Sequence, residues 1–245
     1  MKHYWINIDS RTDRKEYIEK VFKDFNITNE RISAVTPDKL NNFNIKYYDN
    51  KSRMLSEYAC ILSHIKAIKK GYEDGDEYFC ITEDDFILQK PINFDKIFQY
   101  IKNAENENNE KIEILQFHIN QINNIAKLYN NLINTGKFII KRTLPEYEEA
   151  WGATYYLMSR EGAKKILDTI ILENDTFDLK KYNKICVADD IIFNIANTYM
   201  LSYPIIIANI KLESSISDLY LFLIEHGINL SKEIWEKNNL LHFFT

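Results

Sequence analysis

The sequence predicts an α/β fold: a mixed, mainly parallel sheet with helices on both faces. Three observations predict it. Short apolar, strand-like runs alternate with helical periodicities along most of the chain. Only 6 Gly and 4 Pro occur, so no long linker divides the chain. An acidic triplet, Glu83-Asp84-Asp85, follows one apolar run without a spacer. Ligands in such sheets sit beyond the carboxyl ends of strands.

His3 to Ile8 reads as a buried opening strand. Asp9, Ser10 and Thr12 follow, each able to cap a helix. Tyr17, Ile18, Val21, Phe22 and Phe25 recur at helical spacing over Asp13 to Phe25. Arg31 to Val35 is a short second strand, and the Asn-rich segment 38–54 is a loop. Ser56 offers a cap for a helix to about Tyr72, with Tyr58, Leu62, Ile65 and Ile68 on one face. Glu77 to Thr82 is a strand. A helix begins at Asn93 or Asp95 and fades into a solvated turn over Asn103 to Glu110. Ile112 to Phe117 is strand-like, and 119–135 is ambiguous. Lys137 to Lys141 and Thr154 to Met158 are strands. Ser159 caps a helix to about Ile171, and Asp189 opens another through Met200. Tyr203 to Ala208 is a strand, and 216–244 holds two short helices.

The chain of 245 residues suits one large domain. Aromatic residues make up 13% of it, with 16 Tyr and 14 Phe, which supplies enough burial to exclude disorder. Net charge is −5 and no basic run occurs, which excludes a nucleic-acid partner. A phosphate-bearing ligand would then need a metal or a few local Arg and Lys residues. The three cysteines, Cys60, Cys80 and Cys186, show no CxxC spacing, so neither a disulfide framework nor a structural zinc site is expected. Cys60 and Cys80 read as reduced core residues. The N-terminus turns charged too soon for a signal peptide, and no run reaches the ~18 apolar residues of a membrane span. The expected location is the cytoplasm, with peripheral membrane attachment left open.

Three adjacent carboxylates repel one another, and a bound cation would hold all three ionised. Carboxylate oxygens suit hard ions such as Mg²⁺ or Mn²⁺. On extended backbone, residues two apart point the same way. Glu83 and Asp85 therefore converge on one metal while Asp84 faces elsewhere. The competing reading is an acidic loop that merely begins a turn.

Seven segments in series resemble glycosyltransferase family 25, which includes bacterial lipooligosaccharide and collagen hydroxylysine galactosyltransferases. INIDSRTDRKEYIE is similar to its opening strand and D-x-R-x-D-R type turn. RISAVTPD, SEYACILSHIKAI with its Ser-His pair, and YFCITEDDF with its Glu-Asp-Asp motif follow in the family's order. WGATYYLMSREGAKKIL, VADDIIFN and YPIIIANIKLESSISD resemble the later segments. Departures are Cys186-Val187-Ala188 where a Pro often precedes the Val-Asp pair, the doubling of Asp189 by Asp190, and Asn209 where Gln is usual.

The resemblance implies a GT-A-type, Rossmann-like nucleotide-binding domain over 1–218, with 219–245 a helical extension packed on it. It implies an inverting transfer of a hexose, galactose favoured, from a UDP-sugar to a hydroxyl on a glycan, lipid-linked or protein acceptor, with Mn²⁺ or Mg²⁺. Glu83 and Asp85 become the metal site and Asp84 a ribose or metal contact. Arg11, Asp13 and Arg14 follow the first strand. Arg14 either holds a phosphate or ribose through its forked donors or is a surface residue. Ser63 and His64 take a nucleotide-side role or are satisfied core residues. Asp189 or Asp190 is the base that takes the acceptor proton, or the pair caps a helix. Trp151, beside Gly152, stacks on a sugar or packs in the core. His118, by its strand-end location alone, is a candidate second metal ligand. Two rival readings are a non-catalytic glycan- or nucleotide-sugar-binding protein on a transferase fold and a metal-dependent nucleotidyltransferase. With 6 Gly and no GxG, the chain lacks the Gly-rich loop the latter usually wants.

Overall fold

In the first strand, β1 (His3–Asn7), alternate side chains go to opposite faces of a sheet. Tyr4 and Ile6 join one hydrophobic cluster, and Trp5 joins the other. This computed structural model describes residues 1–46, 55–147, 149–172, 175–179, 187–212 and 221–245.

The chain continues through α1 (Thr12–Asp24), β2 (Asn29–Ser33), β3 (Asn44–Lys46), α2 (Leu55–Asp74), β4 (Tyr78–Thr82) and β5 (Phe86–Leu88). Then come α3 (Phe94–Asn108), β6 (Ile114–Gln116), α4 (Ile122–Thr135), β7 (Ile139–Lys141), β8 (Tyr155–Ser159) and α5 (Arg160–Ile170). The last elements are β9 (Ile171–Leu172), β10 (Thr176–Asp178), α6 (Ala188–Ile195), β11 (Thr198–Leu201), β12 (Ile206–Ala208) and α7 (Leu221–Lys237).

Seven strands form the main sheet in the order β2-β1-β4-β8-β6-β11-β7. β1 is parallel to β2 and β4, and β6 is parallel to β11. β8 runs antiparallel between β4 and β6, and β7 antiparallel at the edge. Five strands thus share one direction, and the sheet is mixed.

The strand alternation distributes the helices. Tyr4, Phe79, Ile81, Tyr156 and Met158 face α2, α5 and α6. Trp5, Cys80, Tyr155 and Leu157 face α1, α3, α4 and α7. Helices therefore cover both faces, as the apolar, two-sided strands require.

Some elements differ from the sequence reading. None of Asp9, Ser10 or Thr12 caps α1 through its side chain; the cap position is Arg11. Asp9 instead accepts from Arg31 Nη2 at 2.6 Å and Ser33 Oγ at 2.8 Å. The polar stretch after Asn103 continues α3 to Asn108, because its exposed face needs no apolar residues. The ambiguous 119–135 is mostly helix α4, closed by left-handed Gly136. The helix expected through Met200 stops at Ile195, and Thr198–Leu201 enters the sheet as a fully buried strand. Residues 38–46 are not all loop: β3 pairs with β10. Among the described residues the tail is one helix, α7, followed by a 3-10 turn at Leu240–Phe243. Ile228, Ile234, Trp235, Leu241 and Phe244 from it join the second cluster.

Candidate active site

The carboxyl ends of β1, β2, β4 and β6 lie along one edge of the sheet, because these strands share a direction. A cavity of about 270 Å³ opens there. Its wall includes Asn7, Arg14, Ser63, His64, Thr154 and all of Glu83-Asp84-Asp85.

The triplet lies past the end of β4 with a bend at Asp84, so the alternation of an extended strand does not carry through it: Asp85 shares Arg14 with Asp84, while Glu83 meets Thr154 and His64. Asp84 turns towards β1 and α1, is 4% exposed, and accepts from Asn7 Nδ2 at 2.6 Å and Arg14 Nη1 at 2.7 Å. Glu83 turns the other way: Oε2 accepts from Thr154 Oγ1 at 3.0 Å, and Oε1 lies 3.5 Å from His64 Nε2. Asp85 Oδ2 is 3.1 Å from Arg14 Nη1. Burial, then the charge of Glu83, raises the Asp85 carboxyl to about 7. Burial also raises Asp84, against the pull of Asn7 and Arg14. For Glu83 burial acts in the same direction, but His64, Thr154 and Arg14 outweigh it and the carboxyl is lowered.

Arg14 is 6% exposed, so it is not a surface arginine. One end of its guanidinium meets Asp84 and Asp85, and Nε and Nη2 donate to the Leu212 carbonyl at 3.1 and 2.9 Å. Arg11 sits nearer the surface, forked onto Asp13 and also donating to Leu212. Ser63 Oγ accepts from Val35 N at 2.8 Å and donates to Ala59 O at 2.7 Å, tying the loop after β2 to α2. His64 Nδ1 meets Tyr156 Oη at 3.1 Å.

Asp189 and Asp190 lie in the first turn of α6, inside the helix and not at its cap, which is Val187. Asp189 Oδ1 accepts from Gly152 N, and burial raises its carboxyl. Neither aspartate borders the cavity. Gly152 has φ +143°, and a Cβ there would stand 2.5 Å from the His118 carbonyl. Trp151 and His118 do not border the cavity either. His118 is 3% exposed, and burial lowers its imidazole to about 4. Its strand-end position therefore does not bring it to the carboxylates' cavity.

Sequence reasoning passed over Asn7, Thr154 and Cys60. Asn7 carried a signal, a polar residue closing an otherwise apolar strand. Cys60, read as core, borders the cavity on the same helix face as His64. Cys186 lies outside the described residues, as does most of the segment LESSISD.

The sequence profile of glycosyltransferase family 25, described as LPS biosynthesis protein, matches residues 1–179. The chain belongs to this family. Five of the seven resembling segments fall within the match; the two after residue 186 lie beyond it. A relative from Haemophilus influenzae, "Lipooligosaccharide biosynthesis protein lic2B", is 28% identical over 211 residues, covering 82% of this chain and 73% of that protein. Membership makes the chain a glycosyltransferase, with a sugar donor and a glycan acceptor. Solved structures are more distant. A197 from STIV has 12% identity and a TM-score of 0.40, covering 82% of this chain and 81% of that one. A glycosyltransferase involved in glycosylating the major capsid of PBCV-1 has 9% identity and a TM-score of 0.33, covering 93% and 98%. Neither likeness bears on the chemistry of this family 25 site. No helix among the described residues is long and apolar enough to cross a membrane.

Proposed function

We propose that this chain transfers a hexose, galactose favoured, from a UDP-sugar to a hydroxyl of a glycan, lipooligosaccharide or protein acceptor, with inversion. The carrying observation is the crowding of three carboxylates at the end of β4, on the wall of one cavity, with Arg14 as the cation held against them. The Asp85 carboxyl is raised to about 7 by burial and by Glu83, the condition a bound cation relieves.

Glu83 and Asp85 would hold Mn²⁺ or Mg²⁺, for which oxygen donors fit. Such an ion supplies charge stabilisation to a departing diphosphate. The acceptor oxygen attacks the anomeric carbon as the bond to UDP breaks on the opposite face. Its proton passes to Asp189 or Asp190: neither lines the cavity, but the raised carboxyl of Asp189 feels the charges of Glu83 and His64, which do, and the acceptor would enter from that side. Arg14 and Asn7 hold Asp84 where a ribose or the ion can reach it. Arg11, Asp13, Ser63 and His64 frame the nucleotide side.

A panel of UDP-sugars assayed for UDP release with a glycan acceptor and Mn²⁺ tests this. One sugar should be turned over, and a chelator should stop it. Turnover indifferent to the chelator, or none with any UDP-sugar, would sink the proposal.

A further inference from the structure

The cavity contains a second donor set with different chemistry. Cys60 and His64 stand four residues apart on α2, so they share a face. Cys60 Sγ, a ring nitrogen of His64 and a carboxylate oxygen of Glu83 all lie within 4.8 Å of one another. All three residues border the cavity.

His64 is 1% exposed, and its Nε2 has no hydrogen-bond partner among the described residues. That nitrogen points towards Glu83 Oε1. At 3.5 Å that contact is long for a hydrogen bond, so the buried nitrogen is weakly satisfied and a closer ligand would serve it better. The opposite ring nitrogen meets Tyr156 Oη at 3.1 Å, so the imidazole is oriented from behind, as metal-ligating histidines are. Zinc bonds to sulfur, nitrogen and oxygen of about 2.0–2.3 Å place neighbouring ligand atoms roughly 3.3–3.7 Å apart. The ligand atoms, within 4.8 Å of one another, would have to draw in by up to about 1 Å or a little more, through rotamer changes of Cys60 and Glu83, to reach that.

We propose that Cys60, His64 and Glu83 form a binding site for a thiophilic divalent cation of the zinc class. Thiolate and imidazole select such ions over Mg²⁺ and Mn²⁺, and three protein ligands leave one position open. On binding, the Cys60 thiol releases its proton to solvent and its sulfur bonds the ion. Because Glu83 belongs to both donor sets, zinc should oppose the sugar transfer. That consequence rests on the transferase reading; the site itself does not.

Co²⁺ added alone to the full, metal-free chain tests the site by absorption spectroscopy. A thiolate-to-cobalt band should grow to saturation and disappear on adding Zn²⁺. It should be absent in Cys60→Ser. In His64→Gln, cobalt affinity should fall at least ~10-fold, since losing even an outer partner costs about 10–100-fold. In the unmutated chain, Zn²⁺ should also protect Cys60 from alkylation, read by peptide mass mapping, which needs no variant to fold. No thiolate band on folded wild-type protein, a band that survives in folded Cys60→Ser, or unprotected Cys60 would overturn the proposal. A band without UDP-sugar turnover would sink the transferase reading alone; turnover without a band would sink the zinc site alone.

Discussion

Arg14 Nη1 donates to Asp84 Oδ1 at 2.7 Å, and both side chains are more than nine-tenths buried, at 8% and 6% exposed. The pair joins the helix after the first strand to the acidic end of β4. Removing one partner leaves a charge buried without compensation. Arg14→Met should therefore cost about 3–5 kcal/mol of stability. Urea denaturation measures it; a loss under 1 kcal/mol would mean that water enters and solvates Asp84.

Asp85→Asn keeps the shape and removes the charge. Its carboxyl is only partly exposed and is already raised by burial, so the fold should tolerate neutralisation. Metal-dependent UDP-sugar turnover should fall at least ~100-fold, the equivalent of about 2.7 kcal/mol of barrier. UDP release and a melting curve on the same sample decide it; near-normal turnover in folded protein removes Asp85 from the metal site.

The two candidate bases separate by single substitution. Asp189→Asn and Asp190→Asn should differ, with one lowering transfer by roughly 10²–10⁴ while UDP-sugar binding persists. Kinetics with calorimetric donor titration would show it. If neither slows transfer, the proton leaves by another route.

Gly152→Ala places a methyl against the His118 carbonyl at a φ that L-residues rarely adopt. It should cost about 1–3 kcal/mol in backbone strain, with more from the clash. Gly152 N is also the donor to Asp189, so transfer should fall alongside the melting temperature. A variant as stable as the parent would show that this loop shifts freely.

His3 and His118 set a pH dependence of folding. Burial lowers them to about 3 and about 4 from the ordinary 6.5. Below 6.5 the unfolded chain takes up protons that the folded chain refuses. Their contribution is thus complete above 6.5 and is lost as pH falls towards 4, by about 1.4 kcal/mol per pH unit for each. The raised carboxyls of Asp84, Asp85 and Asp189 act in the opposite sense over this window, so the test is the difference between variants: from pH 7 to 4.5 the stability of His118→Gln, read from denaturation midpoints, should rise relative to the parent. An unchanged difference would assign the acid sensitivity elsewhere.

Taken alone, the sequence determined the alternating α/β order, the two-sided strands and the acidic triplet at a strand end. Each is a local signal, carried by spacing within a few residues. The period of extended backbone did not decide how the triplet divides, because the chain bends at Asp84 and Arg14 draws Asp84 and Asp85 together. Tertiary structure alone decided the rest. Only packing shows that β8 runs antiparallel between β4 and β6, placing Thr154 beside Glu83. Only packing buries Arg14 between Asp84, Asp85 and the Leu212 carbonyl, and turns Cys60 from a core residue into a cavity wall. Thr198 to Met200 reads as helix in the sequence because its apolar run continues the pattern of α6 without a break, yet it enters the sheet as β11. Partners some 70 residues apart, such as Arg14 and Asp84, leave no periodicity to read; the sheet order brings them together, and that order is set by burial over the whole chain.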